Sequence, residues 1–288
     1  MASFKDIKSR TKSVKATKKI ARAMEMVAAA RMKKAQKYAT QNRPYIDRIA
    51  EMIANLVYTT KEHISHPYIT PAKKRENIMV LVITANRGLC GPFNSNLVRA
   101  SLTFVKNHKD LKRFMVTIGK KGRNAMERIN ENIMADFSHL AEQPTYYDML
   151  GITGIIEQEF LSGKVDEVYA IYTDFRTTLT QIVTVKKILP FEVSSEFKPA
   201  NERVPYIIEG DRDLFLDSLL KRYLSSTVYQ LVLDSKASEF SARMMAMSQA
   251  SQNADDISRN LQLAYNKMRQ EKITKEILEV IGGSVVAE

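Results

Sequence analysis

The residues of this chain that could carry out chemistry are few and scattered. The chain has one cysteine and four histidines among 288 residues. Cys90 lies in Gly88–Gly91, after a predicted strand, where a thiol could serve as a nucleophile, but a lone cysteine in such a turn is more commonly a small buried residue. His63 and His66 have a spacing compatible with metal binding. Without further ligands they do not build a metal site, and a loop position is the simpler interpretation.

Glycine-bearing turns that could hold a phosphate are also incomplete. No two glycines have the spacing of G-x-x-x-x-G-K-[ST], and no G-x-G-x-x-G follows a predicted strand. Gly119–Gly122, with the sequence Gly-Lys-Lys-Gly, lies between a predicted strand and a predicted helix, so two amides and two lysines could bind a phosphate there. A tight turn explains the same residues. We therefore predict no catalytic constellation, no metal site and no cofactor.

Composition narrows the class of protein. A hydrophobic content of 44% is typical of a folded globular protein, and no apolar run approaches the ~18–20 residues that span a bilayer. The single cysteine excludes an internal disulfide and fits a reducing compartment, and the first residues contain no recognisable leader. We expect a soluble protein that does not insert into the membrane itself.

The net charge of +12 is concentrated at the amino terminus. Residues 1–43 contain thirteen Lys and Arg and two acids, whereas residues 44–210 have a net charge of +2 and residues 211–288 of −1. The basic residues that repeat at steps of three and four are Lys5, Lys8, Lys12, Lys15, Lys19 and Arg22. Such a stripe is suited to an acidic protein loop, a nucleic acid or an anionic membrane surface, although a solvated helix face would show the same pattern.

Both ends of the chain are predicted to be long helices. Residues 211–281 contain no glycine or proline, and residues 1–67 hold one interior breaker, Pro44. Small and apolar residues recur about every 3.5 residues on each helix, which is the period of a left-handed coiled coil. On the first helix this seam is Ile7, Thr11, Val14, Thr17, Ala21, Met24, Ala28, Met32 and Ala35. On the last helix it is Ala237, Phe240, Met244, Met247, Ala250, Ala254, Ile257, Leu261, Ala264 and Met268.

The two seams are thin, because they use Ala, Thr and Met where a zipper would use Leu and Ile. We infer that the helices pair with each other in antiparallel orientation, since the connection between them is long enough to be a folded domain. Two independent amphipathic helices docked on that domain are the alternative.

Residues 68–210 show short β-like runs that alternate with helical stretches. Ile78–Thr84 is almost continuously apolar, as expected of a strand covered on both faces. The other predicted strands are Arg113–Ile118, Glu167–Thr173 and Leu179–Leu189, and the predicted helices are Asn94–Lys106, Arg123–Ile129 and Tyr147–Leu161. This alternation predicts a small doubly wound, Rossmann-like sheet with right-handed crossovers.

The predicted fold is therefore α/β, with a long antiparallel coiled coil of the N- and C-terminal helices and an inserted small α/β domain. The coiled coil takes residues 1–67 and 211–288, and the inserted domain takes residues 68–210. Within the latter, residues 198–210 link the sheet back to the last helix.

Four separated segments carry a recognisable signature. They are Ile20–Ala28, Arg87–Gly91 with Asn94–Asn96, Ala237–Ala246 and Tyr265–Glu276. In this order they resemble the motifs of the gamma subunit of F-type, bacterial ATP synthases. The likeness extends from end to end of the chain, so it is highly specific.

The resemblance implies the central rotor shaft of that complex, a subunit without catalytic activity. In the family, the paired terminal helices turn inside a ring of alternating alpha and beta subunits, and rotation of the proton-conducting ring of c subunits is coupled to ATP synthesis or hydrolysis. The inserted domain lies at the foot, against the c ring and the epsilon subunit. The same resemblance places the chain peripherally on the cytoplasmic side of the cell membrane.

The resemblance also assigns residues that bind partners. Those expected to contact the catalytic ring are Arg22, Met24, Glu25, Arg243, Arg269, Gln270 and Thr274. The first three would lie on the opposing helix near Arg269, with Arg243 farther down the last helix. Tyr206 and Glu209 match the stretch that approaches the proton-conducting ring. Glu271 and Lys272 depart from the family, which usually has small residues there.

Two other functions fit parts of the sequence. A coiled-coil protein that binds nucleic acid would use the amino-terminal basic residues to neutralise phosphates, although Phe4 and Tyr38 are the only aromatic residues in residues 1–43 and would support little base stacking. An enzyme with a doubly wound sheet would require turnover by the isolated chain. The rotor interpretation accounts for all four motifs, so we predict no nucleic-acid partner.

Overall fold

The computed structural model describes residues 4–59, 66–72, 74–192 and 210–285. The helices in these ranges are α1 (Phe4–Thr59), α2 (Phe93–Asn107), α3 (Lys120–Arg128), α4 (Tyr146–Leu161) and α5 (Arg212–Val285). The strands are β1 (Asn77–Ile83), β2 (Lys112–Ile118), β3 (Ile133–Asp136), β4 (Glu167–Phe175) and β5 (Gln181–Leu189). The chain divides into two compact units, one of Met1–Ala28 with Arg243–Glu288 and one of Ala29–Ala242.

The strands of the second unit form one mixed sheet in the order β3-β2-β1-β4-β5. The pairs β2–β3, β1–β2 and β1–β4 are parallel, whereas β4 and β5 form an antiparallel hairpin. Parallel neighbours require crossover connections, and helices supply them here. The predicted α/β fold class is confirmed, and each predicted strand and helix of the middle region is present with small shifts at its ends.

Strand β1 lies at the centre of the sheet and is buried from Ile78 onward. Its alternating side chains enter two separate cores. Val80 and Val82 pack in the core that includes Leu97 of α2 and Met126 of α3. Leu81 packs in the opposite core, among residues of α4, α1 and α5. Burial on both faces explains why this strand has a continuous apolar sequence rather than an alternating one.

Strand β3 was not predicted from the sequence. Its four residues are all half-buried, and it pairs with β2 through Val116 and Ala135. A run of four residues with no alternation of buried and exposed positions carries too little periodic signal to be recognised.

Within the second unit, α1 and α5 run antiparallel. Arg43 on α1 forms an ion pair of 3.3 Å with Asp234 on α5. Farther along α1, the carbonyl of Leu56 accepts a hydrogen bond of 2.5 Å from Arg212, at the start of α5. Higher residue numbers on α1 therefore meet lower numbers on α5. Pro44 lies inside α1 and does not end it.

Candidate partner-binding surface

The first unit consists of the beginning of α1 and the carboxy-terminal part of α5, and these two helices contact each other. Lys18 Nζ donates to Asp255 Oδ1 at 2.5 Å. Thr11 and Lys12, earlier in α1, line a groove with Gln262 of α5, which lies later in the chain than Asp255. The helices are therefore antiparallel in this unit as well.

Every seam residue of α1 in this unit follows the preceding one by four or three residues in strict alternation. The buried or half-buried positions are Ile7, Thr11, Val14, Lys18, Ala21, Glu25 and Ala28. This spacing is the heptad pattern of a coiled coil. The prediction that Thr17 belongs to the seam is wrong, because its side chain is exposed and the half-buried Lys18 takes the position. Met24 is half-buried beside the seam.

Helix α5 shows the same alternation. Its seam positions are Met247, Ser251, Ala254, Ser258, Leu261, Tyr265 and Met268. The prediction chose the wrong flank of this seam, because Ile257 is 47% exposed and Ala264 is also exposed. Selection by apolar character favours Ile257, but the residue buried at this level of the helix is Ser258. One flank of the described seam is Ser251, Ser258 and Tyr265, and the other is Met247, Ala254, Leu261 and Met268.

One carboxylate holds cations from both helices. Asp255 contacts Lys18 of α1 and, at 3.1 Å, Arg259 of its own helix. The hydrogen bond from Lys18 holds the pKa of the Asp255 carboxyl below its ordinary value. Because all three side chains are exposed to water to a considerable degree, this arrangement sets the register of the helices more than it stabilises them.

The basic stripe predicted from the sequence lies on the solvent side of α1. All six of its residues are exposed, whereas the seam residues are not. Five of its lysines line a groove of about 850 Å³ together with Gln262 and Tyr265 of α5. Among the described residues that line this groove, none has an acidic side chain. The stripe therefore offers concentrated positive charge to an acidic partner.

The residues expected to contact a catalytic ring do not form one cluster. Arg22 is paired with Glu25 on its own helix at 2.9 Å, and its side chain is 63% exposed. Given the Lys18–Asp255 contact, Arg22 is level with residue 251 of α5. Arg269 lies roughly 27 Å farther along the helix at ~1.5 Å per residue. The prediction that Arg22, Met24 and Glu25 lie near Arg269 is therefore wrong.

The other predicted contact residues lie on α5. Arg269, Gln270 and Thr274 are exposed, and Arg243 is half-buried. The two residues predicted to approach a proton-conducting ring, Tyr206 and Glu209, lie outside the described residues.

Comparison with known proteins identifies the family. A family model described as ATP synthase matches residues 3–285. The ATP synthase gamma chain of Dehalococcoides mccartyi is 41% identical over 287 residues, and that of Legionella pneumophila is 37% identical; each alignment covers 99% of both chains. This chain belongs to the ATP synthase gamma-chain family.

Solved structures of low sequence identity share the fold. A chain of the Euglena gracilis mitochondrial ATP synthase rotor is 18% identical, with a TM-score of 0.64 over 94% of this chain and 98% of that chain. A chain from the central stalk and c-ring of the Tetrahymena thermophila mitochondrial enzyme is 23% identical, with a TM-score of 0.60 over 81% of this chain and 99% of that chain.

In this gamma-chain family member, the amides of Lys120, Lys121 and Gly122 in the Gly119–Gly122 turn donate within the chain. The amide of Lys120 donates to Asn86 Oδ1 at 3.0 Å, and the amide of Gly122 donates to Thr84 Oγ1 at 2.7 Å. Gly119 has a φ of 93°, and a Cβ there would lie 2.3 Å from the Thr84 carbonyl oxygen. The glycine is required for a close turn against the end of β1, so the tight-turn interpretation is correct.

The motif around Cys90 also has a structural role. Cys90 is buried, and Asn94 Nδ2 donates to its Sγ at 3.1 Å. The other end of the same amide, Asn94 Oδ1, accepts from the backbone N–H of Ala85 at 3.0 Å. Asn94 thus ties the start of α2 to the end of β1. This explains why an asparagine follows the glycine-rich turn, without assigning it any chemistry.

The part of the chain that the structure describes contains no group of three or more His, Cys, Asp or Glu residues that could hold a metal. His66 instead accepts a hydrogen bond of 3.2 Å at Nδ1 from the backbone N–H of Tyr68 and faces Asp217. None of the helices within the described ranges is both apolar enough and long enough to cross a bilayer.

Proposed function

We propose that this chain is the central rotor shaft of an F-type ATP synthase. The observation that carries the proposal is the two-helix unit, in which a strict heptad seam is combined with an exposed face of lysines. The helices provide a continuous hydrogen-bonded backbone that can transmit torque. The names of the related structures, which include the words rotor and central stalk, support the same assignment.

The lysine face is suited to a surface that moves past its partner. The partners proposed for it are acidic segments of the alpha and beta subunits that surround the shaft. Each exposed ion pair contributes only about 0–1 kcal/mol, and its attraction depends weakly on direction. Contacts of this kind form and break at every step of rotation, whereas deeply interlocked apolar side chains would resist it.

The individual contacts follow from the family resemblance. Arg269, Gln270 and Thr274 contact the catalytic ring at one level of α5, and Arg243 does so at another. Arg22, Met24 and Glu25 belong to a separate level of the shaft, because of the register set by Lys18. Tyr206 and Glu209 are proposed to meet the c ring, and the epsilon subunit binds the inserted domain of residues 68–210.

The chain is proposed to have no catalytic activity of its own. The sequence lacks a phosphate-binding loop, and the amides of Lys120, Lys121 and Gly122 already donate to groups within the chain. ATP turnover takes place on the catalytic subunits, and the angle of the shaft biases their nucleotide affinities, as nucleotide binding biases the angle in return. The shaft is held peripherally on the cytoplasmic side of the cell membrane through the c ring.

Reconstitution tests this proposal. The purified chain is mixed with alpha and beta subunits from the same source, and the mixture is analysed by size exclusion and by ATPase assay. We expect one copy to join a six-membered ring and to raise its ATPase activity, while the chain alone shows none. Elution of the chain apart from the ring, or ATP turnover by the pure chain, would contradict the proposal.

A further inference from the structure

Three serines of α5 bind the end of the sheet through their hydroxyl groups. The backbone N–H of Thr173 on β4 donates to Ser235 Oγ at 3.0 Å, and Ser238 Oγ donates to the carbonyl of the same Thr173 at 3.3 Å. Ser241 Oγ donates to the carbonyl of Thr178, in the turn between β4 and β5, at 2.7 Å. The three serines are spaced three residues apart, so they lie along one side of the helix.

The position of Thr173 explains why the sheet needs these partners. The ladder between β1 and β4 ends at the pair of Val82 and Ile171. Thr173 lies two residues beyond that point, and its side chain is 3% exposed. A buried backbone N–H and C=O must find partners. Ser235 and Ser238 provide both partners. Helix α5 therefore hydrogen-bonds to β4 at the point where β1 no longer pairs with it.

This contact differs in kind from the apolar packing around it. Apolar burial has no preferred direction, so it allows one element to turn or slide a little against another. A hydrogen bond weakens steeply when its donor, hydrogen and acceptor are no longer aligned. All three serine side chains are buried and have a single rotatable bond to the hydroxyl oxygen. A rotation of α5 about its own axis would break all three hydrogen bonds together.

We propose that Ser235, Ser238 and Ser241 fix the rotational register of α5 against the inserted domain and act as positioning residues in torque transmission. This inference rests on the proposed rotor function. The c ring turns the inserted domain, and the serines make α5 turn with it instead of twisting against the sheet.

The test uses the assembled complex with a bead attached to the c ring and the catalytic ring held still. Angular fluctuations of the bead at a fixed nucleotide state measure the torsional stiffness of the rotor. We expect the triple variant S235A/S238A/S241A to lose torsional stiffness and to pump fewer protons per ATP hydrolysed. The matched control is Ser101→Ala, because Ser101 is equally buried but its hydroxyl donates to Leu97 within its own helix.

A second pair of variants keeps the test decisive if the triple variant does not assemble. Ser241→Ala removes the hydroxyl that donates to the turn between β4 and β5, and Ser241→Thr retains it. Loss of stiffness in the first with recovery in the second supports the inference. Unchanged fluctuations in an assembled, rotating variant would overturn it, as would an equal loss in Ser101→Ala. Failure of the unmodified chain to join the ring would instead count against the rotor function.

Discussion

Two stretches of the same helix, residues 223–242 and 247–268 of α5, are built on different principles. In the first, every residue is buried except Tyr229, which is half-buried. In the second, the buried residues are Met247, Ser251, Ala254 and Ser258, and the rest of the surface is half-buried or exposed. A helix buried all round belongs to the core of a domain, whereas a helix buried along one narrow stripe has a single partner. One continuous helix thus serves as a domain core and as half of a two-helix pair.

The buried stretch is not uniformly apolar. Lys236 and Glu239 are both buried and form an ion pair of 3.0 Å. Asp234 is buried beside Gln230, which donates to both of its carboxylate oxygens at 3.2 Å. Buried charges persist in folded proteins when they are paired. The comparison therefore predicts that the same kind of substitution has very different effects in the two stretches.

The largest effect is expected when one partner of the buried ion pair is removed. Glu239→Gln keeps the size of the side chain but leaves the Lys236 ammonium buried without a counter-charge. Such a change costs about 3–5 kcal/mol. The matched variant, Asp255→Asn, removes the carboxylate of an exposed ion pair and should cost much less. Urea unfolding of both variants measures the difference, and equal losses would show that the two stretches do not differ in this way.

Truncation of a leucine gives the next largest difference. Leu220 on α5 is fully buried in the core beneath the sheet, whereas Leu261 is half-buried in the two-helix seam. Leu220→Ala should lower the free energy of unfolding by about 2–5 kcal/mol, because it leaves a cavity in a close-packed core. Leu261→Ala should lower the free energy of unfolding by less, because the Leu261 side chain is already partly exposed to water. The unfolding midpoints of the two variants, compared with the unmodified chain, check this. A larger loss for Leu261 would refute the comparison.

The pH dependence of stability should have opposite signs for two aspartates of this helix. Burial raises the pKa of Asp234 above its ordinary value of 3.8, so the folded state binds the proton more tightly than the unfolded state. Its stabilising contribution is therefore present at low pH and is lost as the pH rises above 3.8. The hydrogen bond from Lys18 lowers the pKa of Asp255, so its contribution is present above 3.8 and is lost as the pH falls.

Urea unfolding of Asp234→Asn and Asp255→Asn across the acidic range checks these signs. Relative to the unmodified chain, Asp234→Asn should gain stability as the pH rises above 3.8, because it removes an unfavourable ionisation. Asp255→Asn should gain relative stability as the pH falls through the same region. Parallel curves for the two variants would contradict the assignment of one carboxylate to a core and the other to a surface.

The same contrast explains what the sequence could and could not predict. The long helices and the strand β1 were predictable, because the absence of breakers and a continuous apolar run are local signals. The burial of Asp234 was not, since it depends on how α5 packs within the second unit, where its ion-pair partner Arg43 is far away in the sequence. Polar residues such as Lys236 and Glu239 would favour a solvent-exposed helix face if sequence alone were considered.

For the candidate surface as well, features of a single helix were predictable from the sequence, whereas features that depend on both helices were not. The lysine stripe was predicted correctly because its spacing along one helix is sufficient to define a face. The distance between Arg22 and Arg269 along the helices depends on the register between two helices. Lys18 and Asp255 set that register, and no pattern within either helix reveals their pairing. Strict alternation of steps of four and three would have favoured Lys18 over Thr17 in the seam of α1.

The smallest effect on stability, with the largest effect on assembly, is expected for the lysine stripe. Lys8, Lys12 and Lys15 are exposed and line the groove on the first unit. Changing all three to glutamate should alter the free energy of unfolding of the isolated chain by only about 0.5 kcal/mol per site, as is usual for surface positions.

Association of this triple variant with the alpha and beta subunits should nevertheless slow markedly at low salt, because charged surfaces steer diffusional encounter. Stopped-flow assembly at two ionic strengths measures this, with Gln262→Glu as a control that adds a single negative charge to the same groove. Assembly at an unchanged rate would mean that the stripe is a solvated helix face, and that the acidic segments proposed as its partners do not bind there.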